Sequence, residues 1–274
     1  MRQRLLTWGY IAGWAVIRAL PERVVAAAFR MGADLAWRRD GRGPQRLAVN
    51  LRRVVGPGVG EDDLRALTRA GMRSYARYWL EVFRLPVMSP ERIVSGARTV
   101  NVEALHAAHQ AGRGVIVALP HTGNWDHAGA WAVQIGMPFT TVAERLEPAA
   151  VFDRFVAYRE GLGMEVLALT GGPRPPFEVL AERLRAGRLV CLLGDRDLSD
   201  RGIEVDFFDG RTRMPPGPAL LALRTGAPLL PVSLWYEGRD WGIRIHDQVA
   251  VPATGKVGGK VAAMTQQVAD AFAE

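Results

Sequence analysis

The stretch GVIVALPHTGNWDHAG, Gly114 to Gly129, decides the fold. Its first half is an apolar run bounded by Gly114 and Pro120, the pattern of a strand buried on both faces. In its second half and just beyond, from Asn124 to Ile135, the spacing of Trp125, Ala128, Ala132 and Ile135 predicts a helix. His121 therefore stands on a strand-to-helix turn. Gly123 permits the turn, Thr122 or Asn124 caps the helix, and Asp126 falls in the first turn, where the helix dipole favours negative charge. Two readings are open on spacing alone. His121 is a general base with Asp126 turned back to orient it, next to amides able to hold an oxyanion, or the two are an ordinary turn histidine and a helix-end charge.

Outward from this unit, helices and strands alternate. The sequence predicts a helix over Glu103–Ala111, strands over Phe139–Ala143 and Glu165–Leu169, and helices over Pro148–Leu162 and Phe177–Ala186. Leu189–Leu193 is another buried strand, followed by a polar loop, a helix over Pro218–Thr225, strands over Pro228–Trp235 and Gly242–His246, and a last helix over Val257–Phe272. Such alternation implies an α/β fold: a mixed, largely parallel sheet flanked by helices, with an antiparallel pair at its end. Everything before about Pro86 has helical periodicity, broken by a loop around Arg38 to Arg46. Tyr75, Tyr78, Trp79, Val82 and Phe83 form a stripe that belongs to core packing. The expectation is a single domain over residues 1–274, with residues 1–35 a membrane-interacting helical segment.

Composition narrows the function. The formal charge of +7 rests on arginine far more than lysine, which suits phosphates or an anionic membrane surface. Zinc-ligand spacing, a basic zipper and RNA-binding aromatic motifs are all absent from the sequence, so nucleic acid is not the expected partner. Cys191 sits in the apolar run LVCLLG as a small hydrophobe, and a reducing cytoplasm is the natural compartment. Leu5 to Leu20 carries Arg18 and is short of the ~20 apolar residues that span a bilayer, and it lacks a small-residue cleavage site. With Trp8, Tyr10 and Trp14 interleaved among Arg2, Arg4, Arg18, Arg23 and Arg30, the N-terminus describes helices lying in the headgroup region.

Charges collect where the predicted strands finish. Glu144 and Arg145 follow one strand, and Asp195, Arg196 and Asp197 follow another; Arg159 lies in YREGLG. In a parallel sheet these positions share one edge and build a common cleft. Asp195, Asp197 and Ser199 match the first spacings of a calcium loop, but Asp200 stands where glycine is needed and Asp206 where glutamate is, so no metal is expected. The glycine-rich stretches lack the dinucleotide and P-loop patterns.

Taken in order, GYIAGW, SYARYW, ALPHTGNWD, FTTVAERL, YREGLG, TGGPRPPFEVLAERL, DRDL, VDFF, TRMPPGPA and TGA make the chain resemble, over nearly its whole length, the lipid A lauroyl/myristoyl acyltransferase family. The resemblance is strongest to actinobacterial members that act on phosphatidylinositol mannosides. It implies a glycerolipid acyltransferase-like fold and transfer of a long acyl chain, typically palmitoyl, from acyl-coenzyme A to a mannose 6-hydroxyl of phosphatidylinositol mono- or dimannoside. It also implies a peripheral protein on the cytoplasmic face of the plasma membrane; we expect a monomer. The family's His-x4-Asp pair falls on His121 and Asp126 and its glutamate in VAERL on Glu144. Asp195 stands before RDL where the family typically has a glutamate, one methylene longer. The expected catalytic set is thus His121, Asp126, Glu144 and Asp195, with Thr122, Asn124, Arg145, Arg159 and Arg196 toward substrate. Relatives typically continue past the last helix, whereas this sequence stops at Glu274, an expectation of either a fragment or a reduced active-site rim. A thioesterase using the same base on water, and a lipid-binding protein without turnover, are the alternatives.

Overall fold

The computed structural model describes residues 13–14, 16–145, 149–197 and 199–274. The N-terminal expectations at Arg2, Arg4, Trp8 and Tyr10, and Pro148, lie outside the described residues. Two compact units make up the chain, residues 1–88 with 208–210, and residues 89–207 with 211–274. Among the described residues no helix is long and apolar enough to cross a membrane.

The first unit is built of helices α1 (Glu22–Arg38), α2 (Arg42–Val55) and α3 (Glu61–Arg84). The segment expected as a loop around Arg38 to Arg46 is instead mostly the start of α2. Gly41 stands at its N-cap, Pro44 falls in the first turn, where its missing N–H costs nothing, and Gly56 closes it at φ 85°. Asp34 of α1 takes both Arg69 and Arg73 of α3 in paired hydrogen bonds of 2.6 to 2.9 Å. Those guanidinium groups hold its carboxyl well below the usual carboxylate range. Tyr78 and Val82 of the aromatic stripe are buried, whereas Tyr75, one turn earlier, is exposed and meets Trp79 edge-on at 6.2 Å.

The second unit contains α4 (Pro90–Ser95), β1 (Ala97–Val100), α5 (Val102–Gln110), β2 (Val115–Leu119), α6 (Trp125–Gln134), β3 (Phe139–Ala143), α7 (Ala149–Glu160) and β4 (Glu165–Ala168). It continues with α8 (Pro176–Arg185), β5 (Leu189–Leu193), β6 (Ile203–Phe207), β7 (Gly210–Met214), α9 (Gly217–Thr225), β8 (Leu229–Glu237), β9 (Asp240–Ile245) and α10 (Val257–Ala273). Seven strands form one sheet in the order β1-β9-β8-β2-β5-β3-β4, parallel except for the β8–β9 pair. The mixed, largely parallel sheet flanked by helices is the expected fold.

β2 is buried along its full length because both of its faces are covered. Ile116 and Ala118 join Leu180 and Leu184 of α8, Leu221 of α9 and Met264 of α10 in one continuous apolar cluster. Each such fully buried leucine contributes roughly 1.5–3 kcal/mol. Val117 and Leu119 point to the opposite face, toward α6.

Helix α4, strand β1 and the β6–β7 hairpin went unexpected. β1 has the sequence ARTV, mostly exposed at the sheet edge, and so carries no apolar signal. The segment expected as a polar loop holds the β6–β7 hairpin: Ile203, Val205 and Phe207 alternate with Glu204 and Asp206, and the apolar set packs with Met214 and with Ala269 and Phe272 of α10.

Candidate active site

The β2–β5 ladder sets the site. Leu119 pairs with Leu193, and Gly194 N donates to Leu119 O at 2.9 Å, so His121 and Asp195 emerge at the same level from neighbouring parallel strands. His121 Nδ1 lies 2.6 Å from Asp195 Oδ1. The side chains are 31% and 18% exposed, reachable yet partly desolvated. With Nδ1–H donating to the carboxylate, Nε2 keeps its lone pair for a proton acceptor's role. Trp125 packs edge-on against the imidazole at 5.1 Å and limits its rotation. The aspartate therefore reaches the histidine despite its shorter stem.

Between His121 and α6 the chain turns at Gly123, whose φ of +53° and whose position 2.8 Å from the Leu234 carbonyl carbon, measured from where a Cβ would stand, require glycine. Asn124 is the cap: its buried side chain accepts from His127 N at 2.9 Å. Asn124 thus holds the helix start, while Thr122 is exposed beside His121.

Asp126 does not turn back to orient His121 as expected; that carboxylate is Asp195. Past the Gly123 turn, Asp126 already lies inside the helix and projects into the protein, where Arg159 of α7 donates from Nε at 2.7 Å and Nη2 at 3.4 Å. Asp126 is 1% exposed, so a compensating cation is a physical necessity. This pairing also places Arg159, expected to face substrate, on a carboxylate. The sequence offered no local signal for it, since 33 residues separate the partners.

The remaining candidates spread along the rim. Glu144 directly follows β3, whose pairing of Phe139 with Leu189 and Thr140 with Val190, carried forward, sets Glu144 level with Gly194. Its side chain is exposed. Arg145 donates to Gly171 O at 3.4 Å and lies over the Phe152 ring. Arg196 is exposed beside Asp195. Asp197 accepts from Ser199 N, Ser199 Oγ and Gly202 N at 2.7 to 2.9 Å, and these bonds keep its carboxyl below the ordinary value while closing the loop on itself.

Beneath this rim a narrow apolar cavity of about 80 Å³ runs between α6 and the sheet. Leu119, Leu193 and Leu234 line its upper part with Trp125, and Leu189 and Phe139 line its lower part. Cys191 stands between these levels, and burial pushes its thiol up, away from thiolate chemistry. A partly exposed imidazole–carboxylate pair over an apolar slot can activate a hydroxyl next to an alkyl chain.

Residues 1–274 match the family described as bacterial lipid A biosynthesis acyltransferase. The chain is also similar to the phosphatidylinositol mannoside acyltransferase of Mycolicibacterium smegmatis, 52% identical over 267 residues, 97% of this chain and 84% of that protein. Its similarity to the protein of the same name from Mycobacterium tuberculosis strain H37Rv is 51% identity over 271 residues, 97% of this chain and 83% of the relative.

Proposed function

The chain belongs to the bacterial lipid A biosynthesis acyltransferase family and is an O-acyltransferase, and from that premise we propose that it moves a palmitoyl-class chain from acyl-coenzyme A to the mannose 6-hydroxyl of phosphatidylinositol mono- or dimannoside. The observation that carries this reading is the His121–Asp195 pair at 2.6 Å above an apolar cavity. His121 Nε2 removes the proton of the mannose hydroxyl, whose oxygen attacks the thioester carbonyl. Asp195 fixes the tautomer and stabilises the imidazolium. The tetrahedral intermediate collapses, the C–S bond breaks, and the imidazolium returns its proton to the leaving thiolate. The N-terminus of α6, four residues past the base, favours the developing oxyanion.

The cavity takes the acyl chain, since its mostly apolar lining suits an alkyl chain better than a hydrated sugar. The acceptor then lies on the exposed rim, where Glu144 and Thr122 meet sugar hydroxyls and Arg145 and Arg196 meet phosphate. Asp126 and Arg159 hold α6, and with it Trp125, in place. Val24, Met31 and Leu35 are exposed on α1 alongside Arg23 and Arg30, which supports a peripheral position on an anionic membrane surface; a cytoplasmic face and a monomer complete the proposal.

Transfer of radiolabelled palmitoyl from its coenzyme A ester to purified phosphatidylinositol mannoside tests this. His121→Ala should lose about 10²–10⁴-fold in rate. Coenzyme A release that is equally fast without acceptor identifies a thioesterase instead, and full activity of the alanine variant removes His121 as base.

A further inference from the structure

The β8–β9 ladder carries a second histidine–carboxylate arrangement, on the face of the sheet turned away from the acyl cavity. Val232 and Leu234 line that cavity, so Ser233 between them points to the opposite face, toward α10. Ser233 Oγ lies 2.8 Å from His246 Nε2, and His246 Nδ1 lies 3.4 Å from Glu274 Oε2. The Ala271 carbonyl, 3.5 Å from the same hydroxyl, is its more distant partner. His246 is 8% exposed and its backbone N–H donates to Pro231 O at 2.9 Å, whereas Ser233 is partly open to solvent. Hydroxyl, imidazole and carboxylate in that order, each within reach of the next, are the parts of an activated serine.

The surroundings suit that chemistry. Burial leads in holding the His246 imidazole below its ordinary value, and Arg244 adds to it against the opposing pull of Glu274 and Asp247. The ring is therefore neutral at pH 7 and keeps a lone pair for the serine proton. Register sets Arg244 of β9 opposite Ser233 and Val100 of β1 beside Arg244, so the three share one row of this face, and both Arg244 and Val100 are exposed. Two residues along β8 the Trp235 ring lies against Gly242, where a Cβ would collide with it, and gives the row an apolar wall. On the other side His246 and Glu274 open onto a polar cavity of about 370 Å³ bordered by Asn101, Gln267 and Asp270.

We propose that Ser233, His246 and Glu274 form a second, hydrolytic centre that cleaves acyl esters of polar alcohols, separate from the His121 site. Ser233 Oγ adds to the ester carbonyl as His246 Nε2 takes its proton. Glu274 steadies the imidazolium, and Arg244 donates to the carbonyl oxygen as it becomes negative. The C–O bond then breaks, and the imidazolium passes its proton to the alcohol, which departs through the polar cavity while the acyl group rests on Trp235 and Val100. Water deprotonated by His246 releases the carboxylic acid and restores the serine.

The test uses the full chain with a fluorophosphonate probe and with monobutyrin, the glycerol ester of butyrate. His121→Ala is the background, because it removes the base of the other site. The probe should label the tryptic peptide Thr225–Arg239, whose one serine is Ser233, in wild type and in His121→Ala but not in Ser233→Ala. Butyrate release by His121→Ala should fall about 10²–10⁴-fold when His246→Gln is added. Should that variant fail to fold, Glu274→Gln, on a side chain 65% exposed, should slow labelling instead. Ser233→Ala should still transfer palmitoyl to phosphatidylinositol mannoside at the wild-type rate. An unlabelled peptide in the folded wild-type chain overturns the proposal, as does butyrate release that Ser233→Ala leaves unchanged. Absent labelling with intact palmitoyl transfer refutes only this centre; labelling at Ser233 with palmitoyl transfer undiminished in His121→Ala refutes only the His121 base.

Discussion

Asp195 and Asp126 are two carboxylates close to the same turn, and they meet opposite surroundings. Asp195 is 18% exposed and faces an imidazole that is itself reachable from solvent; Asp126 is 1% exposed and faces the Arg159 guanidinium. A neutral partner at the rim leaves a charge free to respond as a proton arrives on the histidine. A permanent cation in the interior leaves a charge committed to holding structure. The difference teaches that spacing along the chain does not decide which carboxylate meets the histidine: Asp195 is 74 residues from His121 and touches it, while Asp126 is five away and pairs with Arg159.

The sharpest way to break this contrast is at Asp195. Asp195→Asn keeps the size and removes the charge, so His121 loses its preferred tautomer and its stabilised cation. A rate loss of about 10³–10⁴ is expected, the range of comparable triads, with the melting temperature nearly unchanged. Because the proposed role of Asp195 runs through the histidine, the pH profile should change too, and Asp195→Glu should restore much of the rate. Undiminished transfer in Asp195→Asn would remove it from the mechanism.

Asp126→Asn should do the reverse. It leaves Arg159, 19% exposed, without its carboxylate, a loss of about 3–5 kcal/mol or roughly 6–20 °C in melting temperature for a chain of this size. Replacing both partners, Asp126→Leu with Arg159→Met, should recover part of that stability. Thermal unfolding measures it. A variant that melts normally and loses turnover as Asp195→Asn does would make the two carboxylates equivalent and collapse the distinction.

That His121 and Asp195 share one sheet edge was legible in the sequence, whereas neither charge pair was, and both outcomes have a physical basis. The buried strands at Val115–Leu119 and Leu189–Leu193 announce themselves by composition, and parallel strands bring their carboxyl ends to one edge, so His121, Glu144 and Asp195 could be gathered before any coordinates. Contact between individual charges depends on register and side-chain direction, which composition does not carry. The β6–β7 hairpin was available in the alternation IEVDF and was hidden by its polar neighbours. β1 was not available at all, since an exposed edge strand of sequence ARTV resembles a loop. α2 was masked by glycine and proline in its first turn, where they do least harm to a helix.

The gentlest test of the contrast lies with a third carboxylate. Glu165 takes Arg183 at 2.6 and 2.8 Å and accepts from the buried Thr140 hydroxyl at 2.6 Å, but its side chain is 37% exposed. The Arg183 bonds lead in lowering its carboxyl to about 2 from an ordinary 4.5. A carboxylate lowered on folding stabilises the protein fully above its unfolded value. Its share is then lost as pH falls from about 5 toward 2, since the unfolded chain takes up the proton first. Solvent screening holds that share below about 1 kcal/mol, well under the Asp126 effect. Glu165→Gln should therefore narrow the stability gap to wild type as pH is lowered through that window. A gap that stays constant from pH 7 to the acid limit would show that exposure does not grade these pairs, and the ordering from Asp126 to Glu165 would fail with it.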